Sequence, residues 1–202
     1  MVRRMVETRN SDGESMASFG FREVPEAEKA GLVGQVFHSV AARYDVMNDV
    51  LSLGVHRIWK DRFVTDLRPR AGEKVLDLAG GTGDIARLIH RRTDGAAHVT
   101  LCDINPSMVQ VGRDRLLDQG LFRGIDWTVG DAEALPFRDQ SFDGISVAFG
   151  VRTFADREQG LRERARVLKP GCRAVILEFS LPKEPLLRQA YRTYFDRVLP
   201  RI

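Results

Sequence analysis

A short apolar run, Val75-Leu76-Asp77-Leu78-Ala79, closes on Gly80-Gly81-Thr82-Gly83 and opens into a helical stretch over 84–92. A strand that enters a glycine turn and then a helix brings backbone close to a ligand and aims helix N–H groups at it. The alternation continues down the chain. Residues 98–102 read as a second strand ending at Asp103, and Pro106 suits the first turn of a helix running to about Asp118. Residues 125–129 and 142–147 read as further strands, and a helix over 157–168 precedes the stop signal Lys169-Pro170-Gly171. A fifth strand over 173–179 and a helix over 185–198 complete the pattern. Strands rich in Val, Ile and Leu between helices predict a doubly wound α/β fold, a parallel sheet with helices on both faces. Ligands of such sheets bind at the carboxyl ends of the strands.

Ahead of this core, assigned to 71–202, residues 19–70 are expected to form a helical cap. Val33, Val36, Phe37, Val40 and Tyr44 make one apolar stripe at helical spacing, and Leu51, Val55, Ile58, Trp59 and Phe63 make a second. Residues 1–18 are polar without an apolar centre, which predicts a disordered leader rather than a secretory signal. No run approaches the ~20 apolar residues of a membrane span. The 202 residues suit one domain, and 31 basic against 28 acidic side chains is too mild an excess for sequence-independent nucleic-acid binding. Cys102 and Cys172 match no zinc spacing and read as buried reduced thiols in a cytoplasmic protein, with no metal site expected.

The glycine loop by itself fits two ligand classes. Gly81-x-Gly83-x-x-Ala86, with Asp103 about 20 residues on to take ribose hydroxyls, satisfies the loose dinucleotide fingerprint. It fits S-adenosylmethionine equally. Asp77 tips the reading, because a carboxylate in the first strand suits a ligand carrying an ammonium and a sulfonium and suits a pyrophosphate poorly. Asp131-Ala132 follows the third strand, where a carboxylate can accept an adenine amino group. The bland alternative is that Asp77 caps a neighbouring backbone and Asp131 merely starts a turn.

The segments VLDLAGGTGD, LCDINPSMV, GDAEALPFRDQSFD and RVLKPGCRAVILEFS together resemble a class I methyltransferase. The stretch FGFREVPEAEKAGLVGQVFHSVAARYDVMNDVLSLGVHRIWK, with VAFGVR and the closing YFDRVLPRI, resembles the ubiquinone/menaquinone biosynthesis C-methyltransferases more narrowly. The resemblance runs from about Phe19 to the C-terminus. It implies C-methylation of a demethylmenaquinol, or of a 2-polyprenyl-6-methoxy-1,4-benzoquinol, with S-adenosylmethionine as methyl donor. It also implies donor contacts from Thr82, Asp103, Asp131 and Ala132. Asp77, Gly81, Gly83 and Ala148 complete the expected donor set, Ala148 standing where the family often has Ser. Class I methyltransferases normally add an antiparallel strand pair after the fifth strand. That pair is expected to be absent here, which would leave the fifth strand an exposed edge. A homodimer and a quinone-synthesis complex stay open as partners.

Ring methylation requires a nucleophilic ring carbon. A free phenol titrates near 10, so a base or a cationic neighbour is needed at pH 7. Arg152, just past the fourth strand, and Tyr44 are the expected catalytic residues, with Asp45, His56 and Asp131 as further candidates. The resemblance implies that Arg152 and Thr153 line the acceptor site, Thr153 standing where the family usually has Asn. Phe37, Val40, Leu51, Leu53 and Trp59 are candidates to line a polyprenyl channel, although for most of them ordinary core is preferred. A lipid acceptor also implies peripheral membrane contact. A methyltransferase for another small phenolic or lipid acceptor, and a truncated non-catalytic scaffold, remain the alternatives.

Overall fold

A computed structural model of the chain describes residues 16–19, 22–25, 54–121, 123–180, 184 and 189. Two short strands come first: β1 (Met16–Phe19) pairs antiparallel with β2 (Arg22–Pro25). The expected leader therefore gives up its last residues to a strand. Polar composition concealed this, because ladder hydrogen bonds need no apolar centre and two residues suffice to link a hairpin.

Among the described residues the core is one five-stranded sheet. β3 (Lys74–Leu78), β4 (His98–Asp103), β5 (Ile125–Val129), β6 (Phe142–Ala148) and β7 (Leu168–Leu177) lie in the order β5-β4-β3-β6-β7, each neighbouring pair parallel. The chain winds outward from β3 to β5, crosses back, and winds outward again through β6 and β7. The switch point falls between β3 and β6, so the loops leaving these two strands diverge and open a crevice.

Among the described residues, four helices lie between the strands: α1 (Val55–Leu67), α2 (Asp84–Arg92), α3 (Pro106–Asp118) and α4 (Arg157–Val167). Local chemistry sets their starts. Asn105 caps α3 by accepting from the Ser107 and Met108 N–H groups at 2.9 and 3.4 Å, and Asp156 caps α4 by accepting from Gln159 at 2.9 Å.

Two apolar layers sandwich the sheet. Val75, Val99 and Leu101 point to the face covered by Phe63, Ile85, Ile89 and Val109 of α1, α2 and α3. Leu76, Leu78, Ile145 and Val147 point to the other face, toward Leu135 and Val167.

Two elements differ from the sequence expectation. β7 begins at Leu168 and absorbs the expected turn, its register with β6 jumping from Phe142↔Leu168 to Gly144↔Arg173. Pro170 and Gly171, at φ 75°, form a bulge on an outer strand, where proline removes no central ladder bond. Cys172 sits in that bulge half-buried, while Cys102 is buried, and both are free thiols. The second difference is in α1, whose buried face is His56, Lys60, Phe63, Val64 and Leu67. Of the described residues of the expected stripe, Phe63 packs inward and Val55, Ile58 and Trp59 are exposed. The first stripe, Leu51, Leu53 and the closing helix apart from residue 189 lie outside the described residues. Among those described, no helix is long and apolar enough to cross a membrane.

Candidate active site

The loop leaving β3 holds backbone that ordinary residues disfavour. Gly81 and Gly83 sit at φ 54° and 80°, Gly83 directly preceding α2, and Ala79 also takes a left-handed φ of 54°. Neighbours lock this path. Asp103, at the end of β4, accepts from the Gly81 N–H at 2.8 Å with Oδ2 and from the Asn105 N–H at 2.9 Å with Oδ1. Burial raises its carboxyl above the usual carboxylate range, against the pull of those two N–H groups. From α3, Gly112 faces the Thr82 backbone so closely that a Cβ there would lie 2.8 Å from the Thr82 carbonyl carbon. Gly112→Ala is therefore expected to destabilise the fold by about 1–3 kcal/mol, read from a urea midpoint. An unchanged midpoint would mean that the loop yields freely.

Asp77 does not face the crevice. Its position in β3 alternates with Leu76 and Leu78, which turns its carboxyl toward α2. There Oδ2 accepts from the Ala86 N–H at 3.1 Å and Oδ1 from the Ser146 hydroxyl at 2.8 Å, with the side chain 1% exposed. The carboxylate expected to face an ammonium and a sulfonium instead ties β3 to α2 and β6. Desolvation pushes it up to about 7, with the Ser146 and Ala86 bonds pulling the other way.

A charged cluster pins the start of α2. Asp84 receives Lys60 Nζ of α1 at 2.6 Å on Oδ2 and Arg115 Nη2 of α3 at 2.7 Å on Oδ1, and the same Arg115 nitrogen donates to the Thr82 carbonyl at 2.6 Å. Burial opposes ionisation of Asp84, but Lys60 and then Arg115 outweigh it and hold the carboxyl at about 2. Thr82 itself is buried.

Beyond β5, Asp131 is exposed and its Oδ1 accepts from the Glu133 N–H at 2.8 Å, an Asx turn. Its Oδ2 carries no hydrogen bond among the described residues. Ala132 is buried beside it. The segment is fastened from α4: Glu163 accepts the Leu135 N–H at 2.8 Å, and Arg166 donates to the Leu135 and Phe137 carbonyls at 3.0 and 2.8 Å.

Beyond β6, Ala148 ends the strand half-buried, and Phe149 turns at φ 58°. A Cβ on Gly150 would come within 2.5 Å of the Ala79 Cβ, so this turn presses on the end of β3. Arg152 is exposed. Its Nε donates to the Phe149 carbonyl at 3.2 Å, and its guanidinium lies 5.3 Å from the Phe179 ring centroid. Glu178, just past β7, accepts the Arg152 N–H at 3.2 Å and stands 3.9 Å from Nε. The Thr153 hydroxyl is spent on the Gly150 carbonyl at 2.6 Å.

The rim thus gathers Gly81, Thr82, Gly83, Asp103, Asp131, Ala132, Ala148 and Arg152, all in the loops or strand ends at one edge. Asp77 lies beneath them as a brace. Tyr44 and Asp45 lie outside the described residues, and His56 is buried on α1. Sequence reasoning missed Lys60, Asp84, Arg115, Ser146 and Glu178. Only Asp84, directly after the glycines, stood where a signal was readable. A cleft lined by Leu67, Arg70, Asp143 and Arg173 lies at the opposite, N-terminal ends of β3 and β6, away from the rim.

The model of the ubiE/COQ5 methyltransferase family matches residues 21–202. The ubiquinone/menaquinone biosynthesis C-methyltransferase UbiE of Pseudomonas fluorescens (strain SBW25) is 50% identical over 193 residues, 95% of this chain and 75% of that protein. The protein of the same name in Cellvibrio japonicus (strain Ueda107) is 52% identical over 182 residues, 90% of this chain and 73% of that one. The crystal structure of a SAM-dependent methyltransferase from Aquifex aeolicus shares the fold, with a TM-score of 0.56 at 20% identity over 62% of this chain and 66% of that one. The family match and the identity to these two enzymes show that the chain belongs to the ubiE/COQ5 methyltransferase family, as an S-adenosyl-L-methionine-dependent C-methyltransferase.

Proposed function

We propose that the chain methylates a ring carbon of a polyprenylated hydroquinone, a demethylmenaquinol or a 2-polyprenyl-6-methoxy-1,4-benzoquinol. The observation that carries this reading is Arg152. Its guanidinium is laid on the Phe179 ring, with Nε tied back and both terminal nitrogens free of hydrogen bonds among the described residues. A fixed cation on an aromatic surface suits a phenolic ring whose hydroxyl must lose its proton.

The rim residues also fit the donor. The left-handed glycines leave backbone open to close approach, Asp103 keeps lone pairs for ribose hydroxyls, and Asp131 keeps Oδ2 for an adenine amino group. Ala148, without a hydroxyl, adds only contact. The donor supplies a methyl already activated by its sulfonium. Arg152 stabilises the phenolate oxygen, which raises electron density at the ortho carbon. The phenolic proton leaves to water. The ortho carbon then forms the new C–C bond while the S–CH3 bond breaks and its electron pair stays on sulfur. The resulting dienone loses its ring hydrogen to water as a proton, restoring the aromatic ring. Residues 19–70 cap the crevice and exclude water, and Tyr44 is assigned to the acceptor side of that cap. The protein touches the bilayer peripherally to meet its acceptor. Complete solubility in the presence of membranes would count against that contact.

The test begins with calorimetric titration of S-adenosylhomocysteine. Micromolar binding is expected in the wild type and none in Asp103→Ala. Methyl transfer to both quinol classes follows, with kcat expected to fall about 100-fold in Arg152→Ala. Donor-product binding without transfer to either quinol would overturn the acceptor assignment.

A further inference from the structure

α1 carries Val55, Ile58 and Trp59 at positions i, i+3 and i+4, so the three share one face. These side chains are exposed by 39%, 70% and 40%, beside the buried face of His56, Lys60, Phe63, Val64 and Leu67 that packs into the core. A helix that spends three large apolar side chains on solvent, having buried a lysine and a histidine, has a use for them. The stripe is not isolated. The Trp59 ring meets Phe179 edge-on at 6.1 Å, Phe179 stacks on Phe149 at 4.4 Å, and the Arg152 guanidinium covers Phe179. One continuous strip therefore runs from a cation, across three aromatic rings, to two branched aliphatic side chains. Its cationic end abuts the donor loop through the contact of Gly150 with Ala79.

We infer that this strip is the acceptor track: the quinol ring sits at the Arg152 and Phe179 end, and the first part of the prenyl tail lies along Trp59, Ile58 and Val55. The assignment rests on the hydroquinone reading above and adds the residues that select the tail. The order of chemistries along the strip commits it to this occupant. A phenolic head needs the cation and the ring surface, and a branched hydrocarbon needs branched aliphatic contacts directly beyond them. The guanidinium stands in the turn that presses on the end of β3, where a reacting ring would have to lie, and this place favours the acceptor over a membrane contact. Val55 to Trp59 spans about 6 Å of helix axis, enough for the first isoprene units only. Tail recognition should therefore saturate after about two units.

Calorimetry on the full chain, with and without S-adenosylhomocysteine, tests this using geranylhydroquinone and methylhydroquinone kept reduced. The wild type should bind the geranyl compound about 10-fold or more tightly than the methyl compound, as expected for several buried methylenes. Val55→Asn with Ile58→Asn should cut that advantage to about threefold or less, with the thermal midpoint unchanged because both side chains are exposed. Equal binding of the two compounds by the wild type, or an undiminished advantage in the double variant, overturns the track. Loss of phosphatidylglycerol-vesicle binding in the variant, with the geranyl advantage intact, overturns it in favour of a membrane contact. Tail-dependent binding without methyl transfer would uphold the track and defeat only the reaction assigned to it.

Discussion

Asp84→Ala is expected to cost about 3–5 kcal/mol of folding stability, read from the shift in urea midpoint at constant m. The carboxylate lies between Lys60 and Arg115, whose side chains are 9% and 24% exposed. Removing it leaves two cations from two helices facing each other in a poorly hydrated space. It also unties α1 from α3 at the point where both hold the glycine loop. Asp84→Asn keeps hydrogen-bonding atoms and loses the charge, so it should fall between the two. The pH dependence has a definite sign. The folded carboxyl sits at about 2, below its ordinary 3.8. Its stabilisation is thus complete above about pH 4 and disappears as pH falls through 2. An alanine variant within about 1 kcal/mol of the wild type would show that the cluster does not couple the helices.

Asp77→Asn should act in the opposite direction. The folded carboxyl is raised from 3.8 to about 7 by burial, so the folded state holds a proton that the unfolded state has released across that window. The group's contribution is fully favourable below about pH 4 and is lost as pH rises through 7, a change on the order of 4 kcal/mol. Asparagine keeps an oxygen for the Ala86 N–H, and its amide can donate to Ser146 Oγ, whose hydroxyl also reaches the Leu76 carbonyl at 3.4 Å. The variant should match the wild type at pH 4 and exceed it by a few kcal/mol at pH 8. Parallel stability curves from pH 4 to pH 8 would refute the raised carboxyl. Weaker donor-product binding by the more stable variant would indicate that Asp77's charge, though internal, serves the cationic ligand, stability traded for function.

The core was legible because its signals are local. The bounds of α2, α3 and β5 follow from turn residues and apolar runs within a few positions of each end, Pro106 being the plainest case. Asp103 and Asp131 were legible as rim carboxylates because each stands at the end of a strand. Asp77 was placed at the same rim and lies under it. Strand alternation with Leu76 and Leu78 decides which way it points, and residue type does not. The stripe on α1 was misread for a related reason. Helical spacing groups Val55, Ile58 and Trp59 on one face, but only the packing of Phe63, Val64 and Leu67 against β6 and β7 decides which face turns inward.

The sequence by itself determined that this chain would wind strand by strand around a glycine loop, since propensity, periodicity and turn chemistry act over a few residues. Only the tertiary structure decided what each charge does. Lys60 reaches Asp84 across 24 positions, Arg115 reaches it across 31, and Ser146 reaches Asp77 across 69. Such partners are chosen by burial: once the helices close on the sheet, a carboxylate removed from water must bond whatever donor the topology delivers, and nothing in its neighbouring residues names that donor.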